Sequence, residues 1–411
     1  MLGAMFAQVV QRGTLTVYWP NGTISIYGSG QPNATIRIHG ALSPWTIGIK
    51  PDLALGEAYM DGRLTVEDGT IADVLEILLS NIDEGAEPWL LKLRSRLRML
   101  WRPIAQFNPA RRARKNVAHH YDLSGALFDL FLDPDRQYSC AYFEQPRMTL
   151  EAAQAAKKRH IAAKLMLDRP GLKVLDIGSG WGGLALDLAR EAKADVLGVT
   201  LSTEQLAMAK SRARAAGLAE RCRFELADYR AITGPFDRIV SVGMFEHVGV
   251  AYYDAFFAKL RDLLAPNGVA LLHTIGRADV PGVTNPWTAK YIFPGGYTPA
   301  MSEVVAAIER SGLYVTDVEV LRLHYAETVK EWRSRFRRNW AKAAALYDER
   351  FCRMWEFYLA GAEMSFRYGR LVVFQFQLTK RQDALPLTRD YIFDSERTKR
   401  FGYPSRTGEA A

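Results

Sequence analysis

The chain reads as an α/β fold built on a doubly wound parallel sheet, preceded by a small α+β unit. Three observations predict it. From residue 172 onward, apolar strand-like runs alternate with helical segments. The run Val174-Leu175-Asp176-Ile177 breaks into Gly178-Ser179-Gly180-Trp181-Gly182-Gly183, and residues 14–50 alternate apolar with polar residues. These are the patterns of parallel strands with crossover helices, of a strand–turn–helix ligand loop and of half-buried antiparallel strands.

Taken in order, Thr14–Trp19, Thr23–Tyr27 and Thr35–His39 alternate cleanly, with Asn21-Gly22 and a loop over 28–33 between them, which predicts a small antiparallel sheet. A helix over 71–82 follows. Residues 89–117 then carry Lys92, Arg94, Arg96, Arg98, Arg102, Arg111, Arg112, Arg114 and Lys115 with no acid, among Leu90, Leu93, Leu97 and Trp101. Such a basic amphipathic stretch suits an anionic surface, or simply a solvated helix and linker. Strands are predicted over 173–177, 196–200, 223–226, 236–242 and 269–274, with a helix over 184–192. A helical, Arg- and aromatic-rich stretch over 327–368 leads to a final strand over 371–379. The expected division is a small unit over 1–85, a basic linker over 86–115, a catalytic domain over 116–382 and a loosely ordered tail over 383–411.

Composition excludes several classes. With 411 residues and 48% hydrophobic content the chain can bury a large core in more than one domain. Cys140, Cys222 and Cys352 show neither metal spacing nor an even disulfide count, so no metal is expected and a reducing cytosol is. No apolar run approaches the roughly 18 residues of a membrane span, so a soluble or peripheral protein is expected. A net charge of +8 admits nucleic acid on charge alone, yet no aromatic recognition motif or zinc-finger spacing supports it.

The glycine turn marks a ligand site, because glycines let the backbone approach a ligand that faces a helix N-terminus. Gly178, Gly180 and Gly183 also spell the G-x-G-x-x-G of Rossmann dinucleotide enzymes. Those enzymes place an acid after the second strand, roughly 20 residues on. Here that strand ends in Thr200-Leu201-Ser202 with Gln205 one turn later, and the acid, Asp176, precedes the glycines. This is the arrangement of S-adenosylmethionine-dependent methyltransferases; a dinucleotide enzyme remains the alternative. Ala227-Asp228-Tyr229 after the third strand suits an adenine edge and face. Glu246 and His247 follow the fourth strand and His273 ends the fifth, so reactive groups converge beyond the strand ends.

Further motifs carry a family resemblance: His119-His120-Tyr121-Asp122, Tyr138-Ser139-Cys140-Ala141-Tyr142-Phe143, Phe245-Glu246-His247-Val248-Gly249, Tyr291-Ile292-Phe293-Pro294-Gly295-Gly296 and His324-Tyr325-Ala326. With the turn at 176–183 and Gly198–Ser202, they resemble the cyclopropane-fatty-acyl-phospholipid synthases, which share a catalytic domain with mycolic acid cyclopropane synthases. Gly56–Gly62 resembles the extra N-terminal domain of the phospholipid-acting branch. The resemblance implies a class I methyltransferase fold, and it implies that Tyr121, Tyr138, Ser139, Asp176, Gly178, Gly180, Thr200, Gln205, Asp228 and Tyr229 bind S-adenosylmethionine. By the same resemblance, Cys140, Glu246, His273, Ile275 through its backbone, and Tyr325 hold a bicarbonate ion that serves as base. Implied partners are a phospholipid membrane surface, at its cytoplasmic inner face, and unsaturated acyl chains, with a homodimer left open. Ser179 stands where many members have Cys, and Glu327 where a basic residue is frequent. The aromatic and Met-rich loops around Phe245 and Phe293 are expected as cavity walls or as core.

Overall fold

The computed structural model describes residues 2–40, 51–82 and 123–397. The basic stretch over 89–117, Tyr121 and residues 398–411 lie outside them.

The alternating N-terminal residues do form a small sheet, with a different strand set. In β1 (Arg12–Tyr18) Leu15 and Val17 turn inward and the residues between them outward. β2 (Ile24–Ile38) is one continuous bent strand where two strands and a loop over 28–33 were expected. Its first half sets Tyr27 opposite Leu15 and Ser25 opposite Val17, and its second half lies along the other edge of β1, Ala34 opposite Leu15 and Ile36 opposite Val17. Gly28 and Gly30, at φ +70° and +90°, permit the bend. The remaining member, β3 (Leu64–Asp68), follows the helix Pro51–Met60; its five residues are too few and too exposed to give a signal. The helix Ile71–Asn81 starts at a Thr70–Asp73 capping box. At its other end the Asn81 side chain accepts from the backbone of Gln11 and Arg12 (3.1 and 2.9 Å) and donates to the Arg12 carbonyl, tying helix to sheet.

The large sheet contains β4 (Lys173–Ile177), β5 (Asp195–Thr200), β6 (Cys222–Leu226), β7 (Phe236–Val242), β8 (Leu264–Arg277), β9 (Tyr314–Leu321) and β10 (Leu371–Thr379), in the order β6-β5-β4-β7-β8-β10-β9. The five strands foreseen up to residue 277 run parallel, and their order reverses between β4 and β7, where a ligand crevice opens. β10 runs antiparallel to both neighbours, so the sheet is mixed rather than wholly parallel. β9 escaped the sequence reading because it is a half-exposed edge strand carrying Asp317 and Glu319, without an apolar run. β8 continues to Arg277, which puts His273 inside the strand rather than at its end.

The stretch over 327–368 resolves into helices His324–Arg338, Trp340–Leu346 and Glu349–Arg367. Its arginines are largely engaged: Arg333 with Glu363, Arg335 with Glu151 and Arg337 with Glu356. The expected loose tail is corrected as far as Arg397. The helix Asp390–Arg397 buries Ile392 and Glu396, and the Glu396 carboxylate meets His160 at 2.6 Å. One buried apolar residue and one buried acid make too short a pattern to be read from sequence.

The N-terminal unit shares one core with the helices Pro286–Tyr291 and Glu349–Arg367. Trp287, Ile292, Phe357, Ala360 and Met364 are buried in the same cluster as Leu15, Val17 and Met60. Around it the Tyr59 hydroxyl donates to Glu356 (2.6 Å), the Tyr291 hydroxyl to Glu57 (2.7 Å) and the Tyr368 hydroxyl to Glu76 (2.8 Å). Gly56 lies close against this core: a Cβ there would stand 2.5 Å from Trp287 Cδ1 and 3.0 Å from Phe357 Cε1. Gly56→Ala should therefore lower stability by about 1–3 kcal/mol through overpacking. Gly361→Ala in the facing helix, whose Cβ would meet only Leu75 at 4.0 Å, should be neutral or stabilising by up to ~1 kcal/mol. Urea unfolding of both variants checks the contrast, and equal midpoints would contradict this packing.

Candidate active site

β4 delivers the chain to the ligand loop, where Gly178, Gly180 and Gly182 all take positive φ before the helix Gly183–Glu191 begins. A Cβ at Gly178 would stand 2.9 Å from Met244 Cβ; one at Gly180 would meet nothing within 4 Å, on the open side of the loop. The pocket beside the loop, of about 160 Å³, is lined by Asp176, Gly178, Ser179, Gly180, Thr200, Gln205, Asp228 and Tyr229, with Tyr138 and Ser139 opposite. Every residue expected to bind the cofactor and lying among the described residues is thus brought together. The Thr200 hydroxyl donates to Gln205 (2.9 Å), and the Asp228 carboxylate is held by Arg230 (2.6 and 2.8 Å). Asp176 Oδ2 and Ser179 Oγ are buried without a hydrogen-bond partner, and burial raises the Asp176 pKa to about 7. Unpaired buried polar atoms beside a backbone-only loop fit a polar ligand.

Lys157 is a pocket residue that the sequence did not mark. Lys157, inside the helix Leu150–Lys164, buries its ammonium against Gln137 Oε1 (2.5 Å) and Ser139 Oγ (2.8 Å), and burial lowers its pKa to about 8. In the sequence, Lys157-Lys158 looks like any solvated pair. Only the fold separates them, sending Lys158 to Asp135 and Asp187 instead.

A second cavity, of about 360 Å³, meets the first at Tyr138, Ser139, Gly243 and His247, which line both. Cys140, Glu246, His273, Ile275 and Tyr325 all stand at this polar end. Glu246 projects from the turn Phe245–His247 after β7. Its Oε1 accepts the Ile275 N–H at 2.6 Å, its Oε2 is buried without a partner, and burial raises its pKa to about 7. The Ile275 N–H therefore serves Glu246, and its carbonyl accepts the Thr274 hydroxyl (3.1 Å). Burial pushes the Cys140 thiol pKa up and holds the site's histidines neutral: His273 well below its ordinary range, His247 at about 4. Tyr325 packs edge-on against Trp332, 5.7 Å between ring centres.

Beyond that end the walls turn apolar. Leu2, Met5, Val9, Leu75 and Leu78 of the N-terminal unit, with Phe293 and Phe357, carry the cavity away from the acid–base groups. Of the two aromatics expected as wall or core, Phe293 lines the cavity and Phe245 is core, stacked on Tyr253 at 4.3 Å. Glu327 is tied to Arg367 (2.8 Å) and does not line the cavity. Among the described residues no cluster of His, Cys, Asp and Glu is arranged to hold a metal ion. Chemically, a polar ligand pocket adjoins an apolar channel whose near end carries neutral donors and one buried carboxyl group.

That burial has a pH signature. Asp176 and Glu246 hold their protons to about pH 7 when folded, against about 4 when unfolded. Their stabilising contribution is present below pH 4 and is lost as pH rises through 7, by roughly 4 kcal/mol per group at most. Thermal melts of the ligand-free protein between pH 5 and 8 should show Asp176→Asn losing less stability than wild type. Parallel profiles would mean that the carboxyl group is not desolvated.

The sequence profile described as mycolic acid cyclopropane synthetase matches residues 108–376, and a domain of unknown function matches residues 1–86. A probable fatty acid methyltransferase of Pseudomonas putida is 38% identical over 356 residues, 82% of this chain and 86% of its own. The cyclopropane-fatty-acyl-phospholipid synthase of Escherichia coli strain K12 is 39% identical over 325 residues, 79% of this chain and 82% of its own. Among solved structures, mycolic acid cyclopropane synthase CmaA1 complexed with SAH and CTAB superposes with a TM-score of 0.61 at 36% identity, covering 66% of this chain and 99% of that one. With its two-part site and a profile match spanning the large sheet, the chain belongs to the mycolic acid cyclopropane synthetase family of methyltransferases.

Proposed function

We propose that the protein transfers a methylene group from S-adenosylmethionine to the cis double bond of an unsaturated phospholipid acyl chain, closing a cyclopropane ring. One observation carries this reading: the apolar cavity, with Glu246, His273 and Tyr325 in its polar end, meets the cofactor pocket at Tyr138, Ser139, Gly243 and His247. An acyl chain lying in the apolar part would bring an internal carbon–carbon bond to that junction, shielded from bulk water.

S-adenosylmethionine, when bound at the glycine loop, supplies an electrophilic methyl group. Asp176 and Ser179 offer it polar partners, and the loop offers room at Gly180. Once the alkene carbon is methylated, a proton must leave the new methyl group before the ring can close. No side chain at the junction is an obvious strong base, since Glu246 has one oxygen bound to Ile275 and both histidines are depressed in pKa. A small oxyanion fits this donor set, and bicarbonate would supply the base. Glu246 Oε2 would accept from its hydroxyl, and the His273 ring and Tyr325 hydroxyl would donate to its oxygens.

The enzyme would work at the cytoplasmic face of a membrane, with the basic stretch over 89–117 against anionic headgroups. The name of the Pseudomonas relative favours a second reading, in which the methylated chain ends as a methyl or methylene branch. Ring and methylene products have equal mass, so proton NMR of lipids from expressing cells separates them, and ring protons upfield of the ordinary chain signals are expected. Glu246→Gln should bind S-adenosylhomocysteine normally yet turn over about 10²-fold more slowly, and carbonate-depleted buffer should slow the wild type. Normal turnover in both experiments would remove bicarbonate from the reaction. In a separate calorimetric experiment Gly180→Val should abolish S-adenosylhomocysteine binding, because φ +55° strains any side chain there and the added group enters the pocket. Unimpaired binding would move the cofactor away from the loop.

A further inference from the structure

Gln375 of β10 stands directly opposite His273 of β8, and Glu319 of β9 stands directly opposite Gln375. Directly opposed residues share a face, so the three form one polar row across the sheet. The helix Leu150–Lys164 meets that row with His160 and Lys164, one turn apart. The Lys164 ammonium donates to Glu319 and, at 2.8 Å, to Gln375 Oε1. His160 touches Glu319 with one ring nitrogen and Glu396 of the last helix with the other, both at 2.6 Å. His160, Lys164, His273, Gln375 and Glu396 are all buried, and Glu319, on the edge strand, is half-buried.

Donor and acceptor chemistry fixes the far end. An ammonium can only donate, so it must face the carboxamide oxygen of Gln375, and the amide nitrogen is thereby turned to His273 Nδ1, 3.1 Å away. An amide NH₂ can only donate as well. The Nδ1 of a neutral His273 must then carry a lone pair, and its single proton must sit on Nε2.

We propose that Gln375 is a positioning residue: oriented by Lys164, it locks His273 as the Nε2–H tautomer, so that the ring presents a donor to the oxyanion at the reactive end of the cavity. The proposal rests on the reading of His273 as a donor given above. It also gives the last helix a role, since Glu396 anchors His160, which braces the Glu319–Lys164 pair behind Gln375.

The test reads the tautomer directly. Full-length protein labelled with ¹⁵N-histidine contains seven histidines, and His273 is assigned by the signal lost in His273→Asn. Substrate-free wild type should show the Nε2–H pattern at pH 7.5. Gln375→Glu places an acceptor at Nδ1 and should draw a proton there, and Lys164→Met should give mixed tautomers because the amide can then turn over. Turnover should fall at least about tenfold in both variants with the KM for S-adenosylmethionine unchanged. A wild-type Nδ1–H pattern overturns the proposal outright, even if neither variant folds. Variants that shift the tautomer yet keep wild-type turnover overturn it too. Because the spectrum is recorded without substrate, a failure of the tautomer lock and a failure of the proposed reaction show separately.

Discussion

The reactive end of the cavity depends on one hydrogen bond, from the Ile275 N–H to Glu246 Oε1 at 2.6 Å. A carboxyl group buried there pays a desolvation penalty, visible in its pKa of about 7, and only a fixed donor keeps it in place without neutralising it permanently. The bond spans two neighbouring strands: Glu246 sits in the turn after β7, and Ile275 lies on β8 beyond the last β7 partner, His273. Strand β8 must outrun β7 for this to happen. That extension is paired throughout by β10, from Phe374 opposite Thr274 to Leu371 opposite Arg277.

The antiparallel β10 therefore does more than complete the sheet. It stiffens the overhang that carries His273 and Ile275, and it sets Gln375 behind His273. The helix Glu349–Arg367, which leads into β10, packs with the N-terminal helices on its other side. Position at the polar end and shape at the apolar end are thus tied to one segment of chain. The close approach of Gly56 to Trp287 and Phe357 holds that joint together.

The small N-terminal unit lends Leu2, Met5, Val9, Leu75 and Leu78 to the apolar length of the cavity, beside Trp287, Phe293 and Phe357. The large sheet supplies chemistry at one end, and the added unit supplies containment for a long hydrophobic group. Burial away from water is what raises both carboxyl pKa values and depresses both histidines.

The sequence by itself determined the parallel strands and the glycine loop and pointed to Asp176, Thr200, Glu246 and His273 at the strand ends, because strand alternation and loop chemistry are local and leave a local pattern; Tyr325 came only from the family resemblance. It also marked the N-terminal alternation as sheet, though not the bend that makes 24–38 one strand. Only the tertiary structure decided the rest. Strand β9 is a charged edge, Lys157 becomes a pocket residue while Lys158 becomes an ion pair, and the Ile275 N–H turns to Glu246. Gln375 looks like any polar strand residue until register places it between His273 and Lys164. These outcomes depend on which residues distant in sequence share a buried, low-dielectric space, and no spacing along the chain encodes that.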